Sequence, residues 1–580
     1  MIADIMAVFD EMYEKHGEKL VIDNYTLAPG TYVILSLTEG IKQLYEVNMD
    51  TPCTDDLYSY FVIRDYYSKL INMDKPIDTK KKIHSNQLYS FFVKKENLQN
   101  GKLTSAIIDN YYEILQDPRV KYTEKKKLAM YEEAEVIYGA VNEEEVQQIK
   151  QGVVSYLPEI QQRMKEDKNY LKIFIERDEV DFINEGKKYM IPNVFNSTDF
   201  NIILNGKTYG LPNDNMGLNP KKPFLENKQR KTKVPTLMTL ENALKQKVLF
   251  DYLMNFATQG KRYLFIDESE TPKLTAIKND QTMGEEFTGS FLYIQKGKEL
   301  EIHDFDGIHA YSPNVNFRFV NVLDITLSEY DQDIEFKGYD KLKYVQDLVN
   351  RVYFKKFLMT NYFTDAKDIK LRESYLKEML VVSRKAWFNW FYKGDTQLIE
   401  SVLDKVSLAI IKGTIISDSI YKARHQYNLY YSLKEHFTRS DVKMADVLSS
   451  VKNQLRTKIE QSETASITDD QEYYFAVGQV TAYLLSQSKS NTKTDALLNP
   501  IINCANGRKL NQSLINLYKR YNHAIQGSKK FSNLLAMVQS YEPDSPKVDT
   551  NIIIAGYLHS NLIYEKQPKA TEPTNEGASE

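Results

Sequence analysis

Cysteine is nearly absent from this chain: two residues in 580, Cys53 and Cys504, and no CxxC pair. That excludes a zinc ribbon and leaves too few thiols for a disulfide framework. The sequence also holds no HExxH, no GxSxG and no GxxxxGK[ST]. The usual signatures of zinc peptidases, α/β-hydrolases and P-loop nucleotide hydrolases are therefore missing. No apolar run approaches bilayer length. The opening Met-Ile-Ala-Asp-Ile-Met-Ala-Val-Phe-Asp-Glu has neither the basic nor the apolar segment of a signal peptide, so a cytoplasmic protein without membrane partners is expected.

Two short constellations have enzymatic colour. Tyr263-Leu-Phe-Ile-Asp-Glu268 resembles a strand ending in the acidic pair of a nucleotide hydrolase. The nearest phosphate-loop candidate, Asn205-Gly-Lys-Thr208, has Asn201 where the first glycine belongs. His303-Asp-Phe-Asp-Gly-Ile-His309 gathers metal-ligand types, but alternate strand residues face opposite ways, so His303 and Asp304 diverge. A stand-alone metal-dependent nuclease or nucleotide hydrolase using Asp267, Glu268 or the His303–His309 group is the alternative reading. The favoured one has no catalytic residue, no metal and no cofactor.

What the chain does have is concentrated positive charge against a net charge of −4. Residues 217–236 carry Lys221, Lys222, Lys228, Arg230, Lys231 and Lys233 against Glu226 alone, with three prolines that forbid a regular helix. An extended basic loop interspersed with Asn219, Asn227 and Gln229 suits a polyanion: lysines for phosphates, and Asn219, Gln229 and Arg230 for base edges. A second basic loop holds Lys80, Lys81, Lys82, His84 and Asn86. A third stretch, 489–530, sets Lys489, Lys493, Arg508, Lys509, Lys519, Arg520, Lys529 and Lys530 against Asp495 alone. Within it Leu510, Leu514, Leu517, Tyr521 and Ile525 make one apolar helical stripe, with Lys509, Asn516, Arg520 and His523 clustered away from it. Solvated faces normally mix both signs. This one suits a nucleic-acid backbone contacted without reading sequence.

Periodicity predicts an α+β fold, a mixed α/β N-terminal region followed by an all-α helical bundle. The expected divisions are 1–190, an α+β region; 191–343, β-rich and bearing the basic loop; 344–440, a helical connector; 441–565, a bundle of four or five helices; and 566–580, a disordered tail. Strand-like residues dominate from about Leu171 to Tyr209.

Several pieces, in order along the chain, resemble the large subunit of type I-B CRISPR Cascade surveillance complexes. They are Lys81-Lys-Ile-His-Ser-Asn86 with Ser90-Phe-Phe-Val-Lys94; Asn219-Pro-Lys-Lys-Pro-Phe-Leu-Glu-Asn-Lys228 with Phe250-Asp-Tyr-Leu253; Gly478-Gln-Val-Thr-Ala-Tyr-Leu-Leu-Ser-Gln-Ser488; and Tyr541-Glu-Pro543 with Ile554-Ala-Gly-Tyr-Leu558. The resemblance implies a non-catalytic subunit that recognises the protospacer-adjacent motif in target duplex DNA, aids R-loop formation and recruits the helicase-nuclease. Its implied partners are the guide RNA, the target duplex and displaced strand, and the backbone, handle-binding and small subunits. Sequence reading is left to RNA–DNA pairing. On this basis Lys80–Asn86 would meet the guide's 5′ handle or a neighbouring subunit, and 217–236 the motif duplex. Some relatives carry a cysteine-rich zinc insertion, which this sequence lacks. The terminal bundle resembles the small subunits, and an internal start at Met444 or nearby would produce it separately.

Overall fold

The computed structural model describes residues 2–214, 237–269, 272–297, 299–326, 334–438, 444–461, 465–488, 495–525 and 527–565. The chain divides into two compact units, 1–279 with 288–307, and 280–287 with 308–580.

In the first unit, β1 (Gly30–Ser36), β2 (Gly40–Val47), β3 (Ser90–Lys94) and β4 (Tyr170–Ile175) form a sheet in the order β2-β1-β4-β3. β1 runs parallel to β4 and antiparallel to β2, and β3 is antiparallel to β4. Period-two alternation splits the central strands between two cores. Val33, Leu35, Phe91, Val93, Leu171 and Ile173 face α3 (Ser105–Gln116) and α5 (Glu143–Arg163), where Ile108, Tyr112, Val146, Ile149 and Val153 meet them. Tyr32, Ile34, Phe92 and Phe174 face the other way, toward Tyr58 and Phe61 of α2 (Asp56–Ser68) and Phe182 of α6 (Glu179–Asn193). Between α3 and α5 runs α4 (Lys125–Tyr138), and the chain opens with α1 (Ile2–His16).

This second, aromatic face contains a lysine. Lys172 lies opposite Tyr32 on one side and Phe92 on the other in the strand register, and its ammonium sits 4.9 Å from the centre of each ring. It pairs with Asp65 of α2, whose other oxygen accepts the Tyr25 hydroxyl at 2.7 Å. Asp65 is 1 % exposed and Lys172 is 7 % exposed, so this is a buried ion pair held in a cage of rings.

Residues 179–193, read from sequence as strand-like, are helical. Asp178 adopts the extended backbone that precedes a helix, Glu179 and Asp181 suit the positive end of its dipole, and Phe182, Gly186 and Tyr189 are buried at helical spacing. Their aromatic and β-branched content mimicked strand composition.

A small antiparallel sheet, β5 (Ile202–Leu204), β6 (Lys207–Gly210) and β7 (Met238–Thr239), leads into α7 (Leu240–Thr258). A second four-stranded sheet orders β8 (Lys261–Asp267), β9 (Lys273–Lys278), β10 (Phe287–Lys296) and β11 (Leu300–Tyr311) as β11-β10-β8-β9. Leu264, Ile266, Leu292 and Ile294 from this sheet pack with Leu249, Leu253 and Phe256 of α7 and with Ile5 and Phe9 of α1.

The second unit contains a ribbon, β12 (Asn314–Arg318) and β13 (Gly338–Lys341), and after it the described elements are helical: α8 (Leu342–Val352), α9 (Ser374–Phe388), α10 (Gln397–Ile416) and α11 (Ile420–Thr438), then α12 (Met444–Glu460), α13 (Asp470–Ser486), α14 (Gly507–Tyr521), α15 (Lys529–Ser540) and α16 (Thr550–Leu558). The expected α+β then all-α order is what the chain adopts. Residues 344–440 and 441–565, separated in the sequence reading, lie in this one unit.

α13 is the axis of the bundle: from Glu472 to Leu485 every residue but Ala482 is buried. Its backbone meets that of α16 at two glycines. A Cβ on Gly478 would fall 2.6 Å from the Tyr557 amide nitrogen and closer still to the Ile553 carbonyl, and one on Gly556 would strike the Phe475 carbonyl. Gln479, beside that contact, donates to the Gly556 carbonyl at 2.6 Å and accepts the Leu562 amide at 2.8 Å, locking the turn that follows α16. Among the described residues no helix is long and apolar enough to cross a membrane.

Candidate nucleic-acid interface

The Lys80–Lys82 turn is organised by an acid. Asp78 is buried, and its carboxylate accepts the amides of Lys80 at 2.8 Å, Lys82 at 2.6 Å and Ile83 at 3.0 Å, while its carbonyl accepts the Lys81 amide at 3.0 Å. Lys81 takes the left-handed conformation, φ +55°, which a tight reversal requires. Because one carboxylate occupies these amides, the turn can recognise an anion only through side chains. Lys80 and Lys81 are exposed and Lys82 is half-buried. Lys81 also reaches Asp74 at 3.3 Å.

His84 and Asn86 sit behind this turn. The His84 ring bridges the Tyr170 hydroxyl (Nδ1, 2.6 Å) and the Lys81 carbonyl (Nε2, 3.0 Å). A carbonyl only accepts, so Nε2 carries the proton, and in the neutral ring Nδ1 accepts from Tyr170. Burial, with Lys94 and Lys82 adding their charge, lowers the imidazole pKa. Asn86 is 2 % exposed and donates to the carbonyls of Tyr67 (2.9 Å) and Lys69 (2.7 Å), tying the strand entry to the end of α2. The structure thus brings the five residues together in two roles: Lys80 and Lys81 are exposed with Lys82 half-buried beside them, and His84 and Asn86 hold the backbone beneath. Tyr170, beside His84, was not singled out from the sequence; it lies 86 residues away and no local pattern announces it.

The stretch 217–236, with Asn219, Lys221, Lys222, Lys228, Gln229, Arg230, Lys231 and Lys233, lies outside the described residues. Its roots are described. β6 and β7 pair Tyr209 with Thr239 and Gly210 with Met238. The Leu211 carbonyl accepts the Asn196 amide at 2.8 Å, and the Asn213 amide donates to Val194 at 2.7 Å. Ahead of them, the β5–β6 connection Asn205-Gly206 has φ of +51° and +74°, the two left-handed residues of a tight hairpin turn. Asn205-Gly-Lys-Thr208 is therefore a hairpin turn and the strand it enters.

On α14 the expected stripe is buried through Leu510, Leu514, Leu517 and Tyr521. Ile525 falls beyond the helix, which ends at Tyr521, and is half-buried. Arg508, Lys509, Lys519 and Arg520 are exposed, with Asn516 and His523. Among the described residues, none of these four cations forms an ion pair. The contrast with α12 is sharp: Lys452 and Arg456 pair with Glu565, and Lys458 with the buried Glu472. Lys530 likewise pairs with Glu460 at 2.9 Å. Lys489 and Lys493 lie outside the described residues. Replacing Arg508, Lys509, Lys519 and Arg520 together with alanine should change stability by no more than about 2 kcal/mol, because each exposed position away from special features contributes at most about 0.5 kcal/mol. It should flatten the dependence of log K on log salt for single-stranded DNA by up to about 3 units, at ~0.7 per lost phosphate contact. An unchanged slope would separate this face from nucleic acid.

The two enzymatic constellations do not converge. The Asp267 carboxylate accepts the Ser269 amide at 2.9 Å, and Glu268 accepts the Ser290 hydroxyl at 2.5 Å. His303 lies on β11 beside Glu301, 3.0 Å away. Among the described residues no three His, Cys, Asp or Glu side chains are grouped to hold a metal.

Comparison with protein-family models, with curated proteins and with solved structures finds no match to this chain.

Proposed function

We propose that this chain is a non-catalytic, nucleic-acid-binding subunit, the large subunit of a type I-B CRISPR RNA-guided DNA surveillance complex. In this role it engages the protospacer-adjacent motif of target duplex DNA, aids R-loop formation and recruits the helicase-nuclease. The observation that carries the reading is the outward presentation on α14 of four cations without a carboxylate partner among the described residues, where Lys452, Arg456 and Lys458 of α12 are each paired. The resemblance supplies the specific identity, and its quoted pieces coincide with contacts between elements distant in sequence: Gly478-Gln479 with Gly556, Tyr541 with Asp470 at 3.0 Å, and Asp251 with Lys69 at 3.3 Å.

The test is co-expression of the chain with its genomic neighbours, purification through a tag on this chain, and sequencing of the bound RNA. Guide RNA with a repeat-derived 5′ handle is expected. The Lys80→Ala, Lys81→Ala, Lys82→Ala triple variant should recover less RNA or lose an adjoining subunit. Wild-type retention of full RNA and all subunits by that variant removes the handle assignment. Cleavage of DNA or turnover of ATP by the isolated chain with divalent metal would instead favour the hydrolase reading.

A further inference from the structure

The first unit contains a cavity of about 250 Å³ where α1, α2, α6 and α7 meet the end of α4. Its walls include Tyr13, Tyr66, Tyr67, Tyr138, Met190 and Leu244. Two of the tyrosines are pinned by their hydroxyls, Tyr66 to Asp251 at 2.7 Å and Tyr67 to Glu18, with their rings 5.0 Å apart and nearly perpendicular at 83°. The Tyr13 and Tyr138 hydroxyls make no hydrogen bond among the described residues. The space is smaller than the roughly 300–1,000 Å³ typical of cofactor and drug-sized sites. It accommodates one ring system.

We infer that this cavity is a socket for an aromatic side chain, tryptophan above all, presented by a partner protein. Ring walls at fixed angles favour stacked and edge-on aromatic contacts, and an unengaged tyrosine hydroxyl can accept an indole N–H. Charge decides between a protein and a nucleic acid. A base arrives on a phosphate chain and needs uncompensated cations at the mouth. Here each lysine of the lining is matched: Lys187 to Glu18 at 2.9 Å, Lys245 to Glu241 at 3.6 Å, and Lys247 to Asp251. Val136 and Ile137, which precede Tyr138 on α4, are 87 % and 67 % exposed. Large exposed apolar residues on the helix that supplies Tyr138 are the kind of surface a protein partner covers. The socket does not depend on the nucleic-acid reading.

The probe is N-acetyl-tryptophanamide, followed by saturation-transfer NMR and thermal shift on the full chain, with adenosine monophosphate as the competing arm. Saturable binding of the tryptophan amide, and none of the nucleotide, is expected. Leu244→Trp should fill the cavity and abolish the signal in a protein with unchanged circular dichroism. Should that variant not fold, Tyr138→Ala, at a half-exposed wall, should weaken the probe about threefold or more. Absence of saturation, binding that survives both variants, or binding of the nucleotide in place of the amide would each overturn the assignment.

Discussion

Asp65→Ala is expected to destabilise the first unit by about 3–5 kcal/mol, the usual cost of removing one partner from a buried ion pair. The change leaves the Lys172 ammonium among Tyr32, Phe92 and the sheet without its carboxylate, and it removes the acceptor of the Tyr25 hydroxyl. Ring faces attract the cation, but by only about 2 kcal/mol when desolvated, too little to replace an anion. Replacing the pair by apolar residues of similar size should behave differently. Asp65→Leu with Lys172→Met removes both charges, and such exchanges are often neutral or stabilising. Chemical denaturation of the three proteins decides the matter. A single variant as stable as the wild type, or a double variant no better than the single, would contradict this account of the cage.

Gly478→Ala is expected to cost the bundle about 3 kcal/mol, the upper end of ordinary overpacking. Helix propensity pulls the other way, since alanine is favoured over glycine by about 1 kcal/mol in a helix interior. The clash wins because the new methyl meets backbone atoms of α16, which have no rotamer to change. Gly556→Ala should do the same from the opposite helix. Gly152 in α5 provides the contrast: its added Cβ would meet only the Leu37 Cδ2 at 2.8 Å, the free end of a flexible side chain. Gly152→Ala should therefore be close to neutral. Thermal unfolding of the three variants tests this, and equal melting temperatures for all would refute the close helix crossing.

These two centres differ in how visible they were. Gly478-Gln479 and Ala555-Gly556-Tyr557 stood out in the sequence as pieces of a resemblance, yet nothing there said that they touch; the contact joins residues more than 70 positions apart. The Asp65–Lys172 pair was invisible for the same reason, because both residues read as ordinary surface charges until the register puts Lys172 between two rings. Local regularities fared better. The α14 stripe could be placed from its spacing alone, since a helix fixes its faces within a few residues. The limit of that argument was Ile525, where the helix had already ended. Asp78 was equally legible in principle: an acid shortly before Lys80-Lys-Lys82 is a side-chain-capped turn waiting to close. Composition failed at 179–193, where Phe182, Ile183 and Tyr189 look like strand residues and the periodicity of their burial decides for a helix.

The β6–β7 pairing at Tyr209–Thr239 has a practical meaning for engineering. Antiparallel neighbours hold their Cα atoms about 5 Å apart whatever the chain does between them, and lengthening a closed loop twofold costs only about 0.6 kcal/mol. The span it closes can therefore be treated as a cassette. A different segment, or a small reporter domain with neighbouring termini, can be spliced between Asp214 and Leu237 while the strands at its base keep their partners.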